Sequence, residues 1–296
     1  MAETQGLLGA LGDLAGATVP LSVRELDAEI GDRLRKIPTR LNEYGFDRFG
    51  LSPTVAQRSL LPAALLYRHY FRVTTQDIDQ VPQGRVLLIA NHAGQLPFDA
   101  SMLSTAMLLE AEPPRLARSM GEYWIPQLPF VSTSAHRMGS MVGTPENCTA
   151  LLEDGECVIV FPEGVRGMNK TFDQRYQLQR FGSGFVRLAL ETKTPIVPVG
   201  IVGSEEQQPG IARLDAVGKL LGMPALPLTL GFPWLGPLGL LPLPVKYWIG
   251  FGDPLYLEGT GNEDDARVAG HVDRVRSAID EQLARGREQR TGIFRG

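Results

Sequence analysis

Short apolar runs along this chain alternate with longer stretches whose apolar residues recur at helical spacing. The short runs predict buried β-strands, because the strands of a parallel sheet are covered on both faces. These runs are Val86–Ala90, Cys157–Phe161, Pro195–Val202 and Val245–Phe251, and a further short strand is expected at Arg115–Ala117. The longer stretches predict helices at Ser22–Asn42, Ser52–Tyr70, Asp99–Leu109, Thr144–Leu152 and Gly184–Thr192, and a final amphipathic helix capped at Asn262-Glu263.

This alternation indicates an α/β fold, with a mostly parallel central sheet flanked by helices. The helices before the first long strand lie within the first quarter of the chain. We therefore expect residues 1–75 to form an N-terminal helical extension and residues 76–296 to form the main domain.

The composition is that of an ordinary globular protein. The chain has 296 residues, 43% of them hydrophobic and 21% charged, which is ample for a core. A net charge of −4 argues against nucleic-acid partners. Cys148 and Cys157 offer no disulfide framework and suit a reducing compartment. The four histidines are too scattered for a metal site, so none is expected.

The termini and the apolar stretches suggest no membrane-spanning element. No Lys or Arg precedes Arg24, so we expect no secretory signal. From Leu220 to Val245 the chain carries no charge, but six prolines exclude a spanning helix there. Two interpretations of this segment remain open. It packs on the core, or it lines an acyl-chain groove or enters a membrane surface.

A histidine follows the Val86–Ala90 strand, and an aspartate follows it closely. His92 is a candidate general base, because imidazole titrates near neutral pH. A carboxylate on the second ring nitrogen would fix the tautomer, and Asp99 at the start of the next helix can fold back to supply it. The same residues, taken alone, also fit an ordinary histidine at a strand end.

The Cys157–Phe161 strand ends in Pro162-Glu163-Gly164-Val165-Arg166, and Lys170 follows. Arg166 and Lys170 are candidate phosphate ligands, Arg as a planar fork and Lys as a point charge. Gly164 lets the backbone approach a ligand closely. Between the two motifs, Arg137 is a further candidate anion ligand. A polar loop and a surface arginine are the alternatives.

Three other kinds of enzyme fit the sequence poorly. The stretch from Gly164 to Thr171 nearly spells a P-loop, but Asn169 stands where the second glycine belongs. A serine hydrolase needs Gly-x-Ser-x-Gly, which does not occur in the chain. Neither cysteine is visibly placed in an exposed, electropositive turn, so a cysteine nucleophile is not expected.

Together these motifs resemble the glycerolipid and lysophospholipid acyltransferase family. The matching elements are His92 with Asp99, Arg137, Phe161 to Arg166, and the apolar run Ile196 to Ile201. The resemblance covers roughly residues 80–255. Most of the family has four residues between His and Asp, whereas this chain has six, Ala93 to Phe98. The longer form resembles the branch that includes monoacylglycerol and diacylglycerol acyltransferase-like proteins.

The resemblance implies direct acyl transfer from acyl-CoA or acyl-carrier protein to a glycerolipid or lysophospholipid hydroxyl. His92 would act as general base, assisted by Asp99. Glu163 and Gly164 would organise the loop at the substrate, and Arg137, Arg166 and Lys170 would bind it. No metal or resident cofactor is implied. We expect a peripheral protein at the cytoplasmic face of a membrane. The alternative is a lipid-binding, membrane-associated protein with a degenerate site.

Overall fold

The computed structural model describes residues 23–93, 96–121, 135–168, 170–214, 226–229 and 231–294. Its helices are α1 (Val23–Arg35), α2 (Pro53–Leu65), α3 (Phe98–Leu109), α4 (Pro145–Glu153), α5 (Val165–Met168), α6 (Gly184–Thr192) and α7 (Asp265–Gln289), and α2 continues as a π-helical turn over Leu66–Tyr70. Its strands are β1 (Thr74–Gln76), β2 (Val86–Ala90), β3 (Arg118–Gly121), β4 (Met141–Val142), β5 (Cys157–Val160), β6 (Ile196–Val202), β7 (Gly210–Leu214), β8 (Leu226–Thr229) and β9 (Trp248–Phe251).

Seven of these strands form one sheet, in the order β1-β9-β6-β2-β5-β3-β4. Its neighbouring strands pair in parallel except at β6 and β9, which are antiparallel. The prediction of a mostly parallel sheet flanked by helices is therefore confirmed. Strands β7 and β8 form a separate antiparallel ribbon. Strand β2 lies at the centre, between β5 and β6, so the residues that follow it meet the residues that follow both neighbours.

Side chains of the central strand alternate between two apolar clusters. Val86, Leu88 and Ala90 face one cluster, which includes residues of α1, α2 and α3. Leu87 and Ile89 face the other, which includes residues of α4, α6 and α7. All five are fully buried. Burial on both faces explains why this strand reads as a continuous apolar run.

The predicted start of α4 is confirmed. Thr144 accepts a hydrogen bond from the Asn147 amide (3.1 Å) and caps α4. At the last helix the predicted cap was wrong. Asp264 is the cap, and it accepts from the Arg267 amide at 2.8 Å.

Other boundaries also differ from the prediction. Strand β9 begins at Trp248 rather than at Val245. Helix α1 ends at Arg35 rather than at Asn42, because Pro38 disfavours the helical conformation at the residue before it. The strand expected at Arg115–Ala117 lies at Arg118–Gly121. Residues 1–22, which include the expected cap Ser22, lie outside the described residues. The division at residue 75 stays a prediction.

The uncharged segment is described over 226–229 and 231–245. It contributes β8 and a 3₁₀ turn at Gly236–Leu240. Its large apolar side chains are mostly exposed, led by Trp234, Leu235, Leu238 and Leu241. These four side chains therefore contribute little to the core. None of the helices in the described part of the chain is long and apolar enough to cross a membrane.

Candidate active site

Three loops meet at the carboxyl edge of the central sheet, one after each of β2, β5 and β6. The register pairs Ile89 of β2 with Val160 of β5, and Ala90 of β2 with Val199 of β6. Strands β2 and β5 therefore end at nearly the same level, and β6 continues three residues further, to Val202. Ligand sites of open α/β sheets gather at this edge.

Asn91 extends the pairing of β2 with β6 beyond the last backbone pair. Its side-chain amide donates to the Ile201 carbonyl (3.0 Å), and its carbonyl accepts from the Ile201 amide (2.7 Å). Both bonds are buried. The Asn91 side chain thus replaces a backbone partner of β6, and it fixes the position at which the next residue, His92, leaves the sheet.

The predicted His–Asp pair is formed. His92 Nδ1 lies 2.6 Å from Asp99 Oδ2, although six residues separate the two. The same carboxylate oxygen accepts from the Ala93 amide at 2.9 Å. Asp99 is fully buried and His92 nearly so. A buried carboxylate on Nδ1 selects the tautomer that leaves Nε2 as a proton acceptor.

The imidazole ring is also held on one face. The Phe161 ring stacks on it, with centroids 4.3 Å apart and planes inclined by 24°. No hydrogen bond to His92 Nε2 comes from any residue that the structure describes. Among the ring nitrogens, Nε2 is therefore the one that can accept a proton from a bound molecule.

Glu163 joins the second loop to the first. One carboxylate oxygen accepts from the His92 amide (2.8 Å) and the other from the Gln179 amide (2.7 Å). Lys170 lies 3.4 Å from Glu163 and 2.6 Å from Glu205, and all three side chains are buried. These contacts position the backbone of His92. They also pair Lys170 with two buried carboxylates, and its role as an anion ligand stays a prediction.

Two glycines of this loop meet different structural requirements. Gly164 has φ +53°, a left-handed conformation that favours glycine. Gly167 packs directly against His92 and Glu163. A Cβ placed there would come within 2.7 Å of the His92 carbonyl and 2.9 Å of the Glu163 Cβ. The motif glycine Gly164 thus allows the turn, and Gly167 allows the close packing of two loops.

The two predicted arginines occupy different places. Arg166 is exposed and makes no hydrogen bond or ion pair with the described residues. Arg137 stacks over the Phe46 ring at 5.2 Å, and its carbonyl accepts from the Ser52 amide. The recorded contacts of Arg137 thus lie with the segment before α2, and the structure does not bring it to His92. As anion ligands, both arginines stay predictions.

The sequence analysis missed the loop after β6. Ser204 to Gln208 are polar, yet all five are buried. Glu205 binds Lys170 and the Tyr176 amide, Gln207 accepts from the Tyr247 hydroxyl, and Glu206 pairs with Arg290. Burial raises the pKa of Glu205, an effect that the Lys170 charge opposes. A run of polar residues directly after a buried strand was the available signal.

The cysteines do not belong to this site. Burial raises the pKa of Cys148 and of Cys157 to about 11. Both are therefore thiols at neutral pH and weak nucleophiles. This supports the expectation that the chain does not use cysteine chemistry.

Comparison with known proteins supports the resemblance to acyltransferases. The family model described as Acyltransferase matches residues 72–202, which contain both the His92–Asp99 loop and the Phe161–Arg166 loop. A Mycoplasma pneumoniae protein named probable 1-acyl-sn-glycerol-3-phosphate acyltransferase is 28% identical over 163 residues, 52% of this chain and 58% of that protein. Residues 72–202 of this chain therefore carry an acyltransferase domain. The resemblance drawn from the motifs is confirmed.

Other proteins are similar to this chain over different shares of its length. An uncharacterized Mycobacterium tuberculosis protein is 37% identical over 294 residues, 95% of this chain and 82% of that protein. A chicken protein named DGAT1/2-independent enzyme synthesizing storage lipids is 24% identical over 179 residues, 60% of this chain and 50% of that protein. The crystal structure of the Thermotoga maritima 1-acyl-sn-glycerophosphate acyltransferase PlsC superposes with a TM-score of 0.52 at 13% identity, over 98% of this chain and 90% of that one. The last likeness concerns the fold alone.

Proposed function

We propose that this protein transfers a fatty acyl group from an acyl thioester to a hydroxyl of a glycerolipid or lysophospholipid, with His92 as general base. The observation that carries the proposal is the buried contact of 2.6 Å between His92 Nδ1 and Asp99 Oδ2, at the sheet edge where ligands gather. The donor is acyl-CoA or acyl-carrier protein, and no resident cofactor takes part.

The chemistry is a direct displacement. His92 Nε2 removes the proton from the acceptor hydroxyl, and the oxygen attacks the thioester carbonyl carbon. Asp99 stabilises the imidazolium that forms. Backbone donors of the glycine-containing loops stabilise the oxyanion of the tetrahedral intermediate. The C–S bond then breaks, and the leaving thiolate takes the proton from His92.

Arg166 is the cation of the second loop that we assign to substrate binding. It is exposed and free of partners among the described residues, whereas Lys170 is engaged by two buried carboxylates. A guanidinium binds a phosphate through two parallel hydrogen bonds. For a lysophosphatidate acceptor the phosphate belongs to the acceptor. For a neutral glyceride it belongs to the thioester carrier.

We further propose that the protein works as a peripheral protein at the cytoplasmic face of a membrane. The acceptors are lipids, and the uncharged segment presents Trp234, Leu235, Leu238 and Leu241 to solvent. A contiguous apolar patch on a soluble surface marks an interaction site, and a bilayer interface accepts such side chains.

A panel of donors and acceptors tests the proposal. Palmitoyl-CoA and palmitoyl-acyl-carrier protein are each combined with vesicles that contain lysophosphatidate, lysophosphatidylcholine, monoacylglycerol or diacylglycerol. The rate of thiol release is measured with a chromogenic disulfide, and the mass of the lipid product is determined by mass spectrometry. We expect acceptor-dependent thiol release with at least one pair, matched by a product heavier by one acyl group.

The opposite result identifies the alternative function. A protein that binds the vesicles but releases no thiol with any pair is a lipid-binding protein with a degenerate site. Thiol release that does not depend on the acceptor would indicate a thioesterase instead. Either result would contradict acyl transfer.

A further inference from the structure

Gln208, in the loop after β6, links the catalytic loop to the exposed apolar segment. Its side chain is only 4% exposed. The carbonyl oxygen accepts from the Leu96 amide (3.2 Å), and the amide nitrogen donates to the Leu240 carbonyl. One buried side chain thus spans from the loop between His92 and Asp99 to the 3₁₀ turn of the segment.

The two ends of this bridge require opposite hydrogen-bonding groups. The Leu96 contact needs an acceptor and the Leu240 contact needs a donor, and a primary amide supplies both without a charge. A glutamate in its ionised form keeps the first contact and loses the second. A methionine has a similar length and loses both. Glutamine is therefore matched to this place by its chemistry as well as its size.

A second contact from the same loop holds the segment in place. The Gln207 carbonyl accepts from the Leu243 amide at 2.7 Å, while its side chain accepts from the Tyr247 hydroxyl. The segment is thus attached to this loop at Leu240 and at Leu243. On the other side, the Phe98 amide donates to the Leu96 carbonyl at 2.8 Å, one residue before Asp99. The tether at Leu96 therefore reaches the residue next to the catalytic carboxylate.

We propose that Gln208 is a positioning residue that couples the seating of the apolar segment on a lipid surface to the geometry of the His92–Asp99 loop. The inference rests on the proposed acyl transfer at a membrane. Leu240 lies between Leu238 and Leu241, two of the exposed side chains offered to the bilayer. When the bilayer holds the segment, the hydrogen bond through Gln208 restricts Leu96. The loop around His92 is then best ordered where its lipid acceptor is present.

The test compares wild type with Gln208→Met and Gln208→Glu. The control is Gln57→Met, because Gln57 is a partly buried glutamine that joins α2 to Asp27 of α1, away from the site. Hydrogen–deuterium exchange is measured on the peptide that contains Leu96, with and without vesicles of phosphatidylcholine and phosphatidylglycerol. Vesicle co-sedimentation, melting temperature, kcat and KM are measured alongside.

The coupling predicts a distinct pattern of exchange. In wild type and in Gln57→Met, vesicles slow exchange of the Leu96 peptide. In Gln208→Met exchange is faster without vesicles, and vesicles no longer slow it. Gln208→Glu keeps the Leu96 contact, so its exchange without vesicles stays close to that of wild type while its response to vesicles is lost. Vesicle binding stays within about twofold in every variant. A lost hydrogen-bonded tether lowers kcat by about tenfold with KM unchanged.

Other results overturn the coupling. It is wrong if the Gln208→Met protein keeps the vesicle-dependent exchange of wild type, or if wild type shows no such dependence. It is also wrong if exchange rises throughout the chain with a large fall in melting temperature, because Gln208 is then a general packing residue. The hydrogen–deuterium exchange measurement does not depend on enzymatic activity. A wild-type protein that shows the coupling but releases no thiol therefore contradicts the acyl transfer and not the role of Gln208.

Discussion

Replacing Trp234, Leu235 and Leu238 with serine tests whether the apolar segment is a membrane anchor. These side chains are 77%, 65% and 69% exposed, so little of their area is used inside the protein. Full burial of such a side chain contributes about 1.5–3 kcal/mol, and the exposed share of the three comes to about 3–6 kcal/mol. If all three enter the interface, the triple variant partitions onto vesicles at least about 100-fold more weakly.

The assay is co-sedimentation with phosphatidylcholine and phosphatidylglycerol vesicles over a range of lipid concentrations, together with a thermal melt. The matched control replaces three other exposed apolar side chains, Leu41, Tyr44 and Tyr256, with serine. We expect the control to bind like wild type and the melting temperatures of both variants to change little, because substitutions of exposed side chains have small effects on stability. Undiminished binding by the segment variant with a lowered melting temperature would show that the segment is part of the core.

Substitutions at three further positions test how the site is built. Asp99→Asn should lower kcat by on the order of 100-fold or more with little change in KM, because the amide no longer holds His92 in the reactive tautomer; a kcat within about threefold of wild type would remove Asp99 from the mechanism. Arg166→Ala should raise KM for the phosphate-bearing substrate, and Arg166→Lys should restore only part of the affinity because the planar fork is lost; unchanged KM for both donor and acceptor would remove Arg166 from the site. Gly167→Ala places a Cβ within 2.7 Å of the His92 carbonyl oxygen and should lower the free energy of unfolding by about 1–3 kcal/mol in a denaturant melt. The control Gly270→Ala, at an open helical position, should leave stability unchanged or raise it. Equal stability of the two variants would contradict the tight packing at Gly167.

Local chemistry made much of the fold predictable from the sequence. The continuous apolar run Val86–Ala90 had to be a strand covered on both faces, and Thr144-Pro145 had to begin a helix. Errors arose where local signals competed. Pro38 ended α1 earlier than its apolar periodicity suggested, and the strand at Arg118–Gly121 is defined by its pairing with β5 rather than by its own apolar residues.

The candidate site was predictable as a set of residue types but not as a set of contacts. The spacing of His92 and Asp99 departs from the family pattern, and only the structure brings the two within 2.6 Å. The sequence predicted Lys170 as a phosphate ligand, whereas the structure pairs it with Glu205. Glu205 comes close to Lys170 because β6 lies beside β2 in the sheet. Gln208 belongs to none of the sequence motifs. Its importance comes from two partners that are 112 and 32 residues away along the chain.

The most direct test of acyl transfer by this site is the turnover of His92→Ala with the donor and acceptor pair that the wild-type protein accepts. His92 is the proton acceptor, and general-base catalysis contributes about 10²–10⁴-fold. We expect kcat to fall by at least that factor, while the melting temperature and vesicle binding stay close to those of wild type. A folded, vesicle-bound His92→Ala protein that forms the acylated lipid at a near-normal rate would contradict the mechanism.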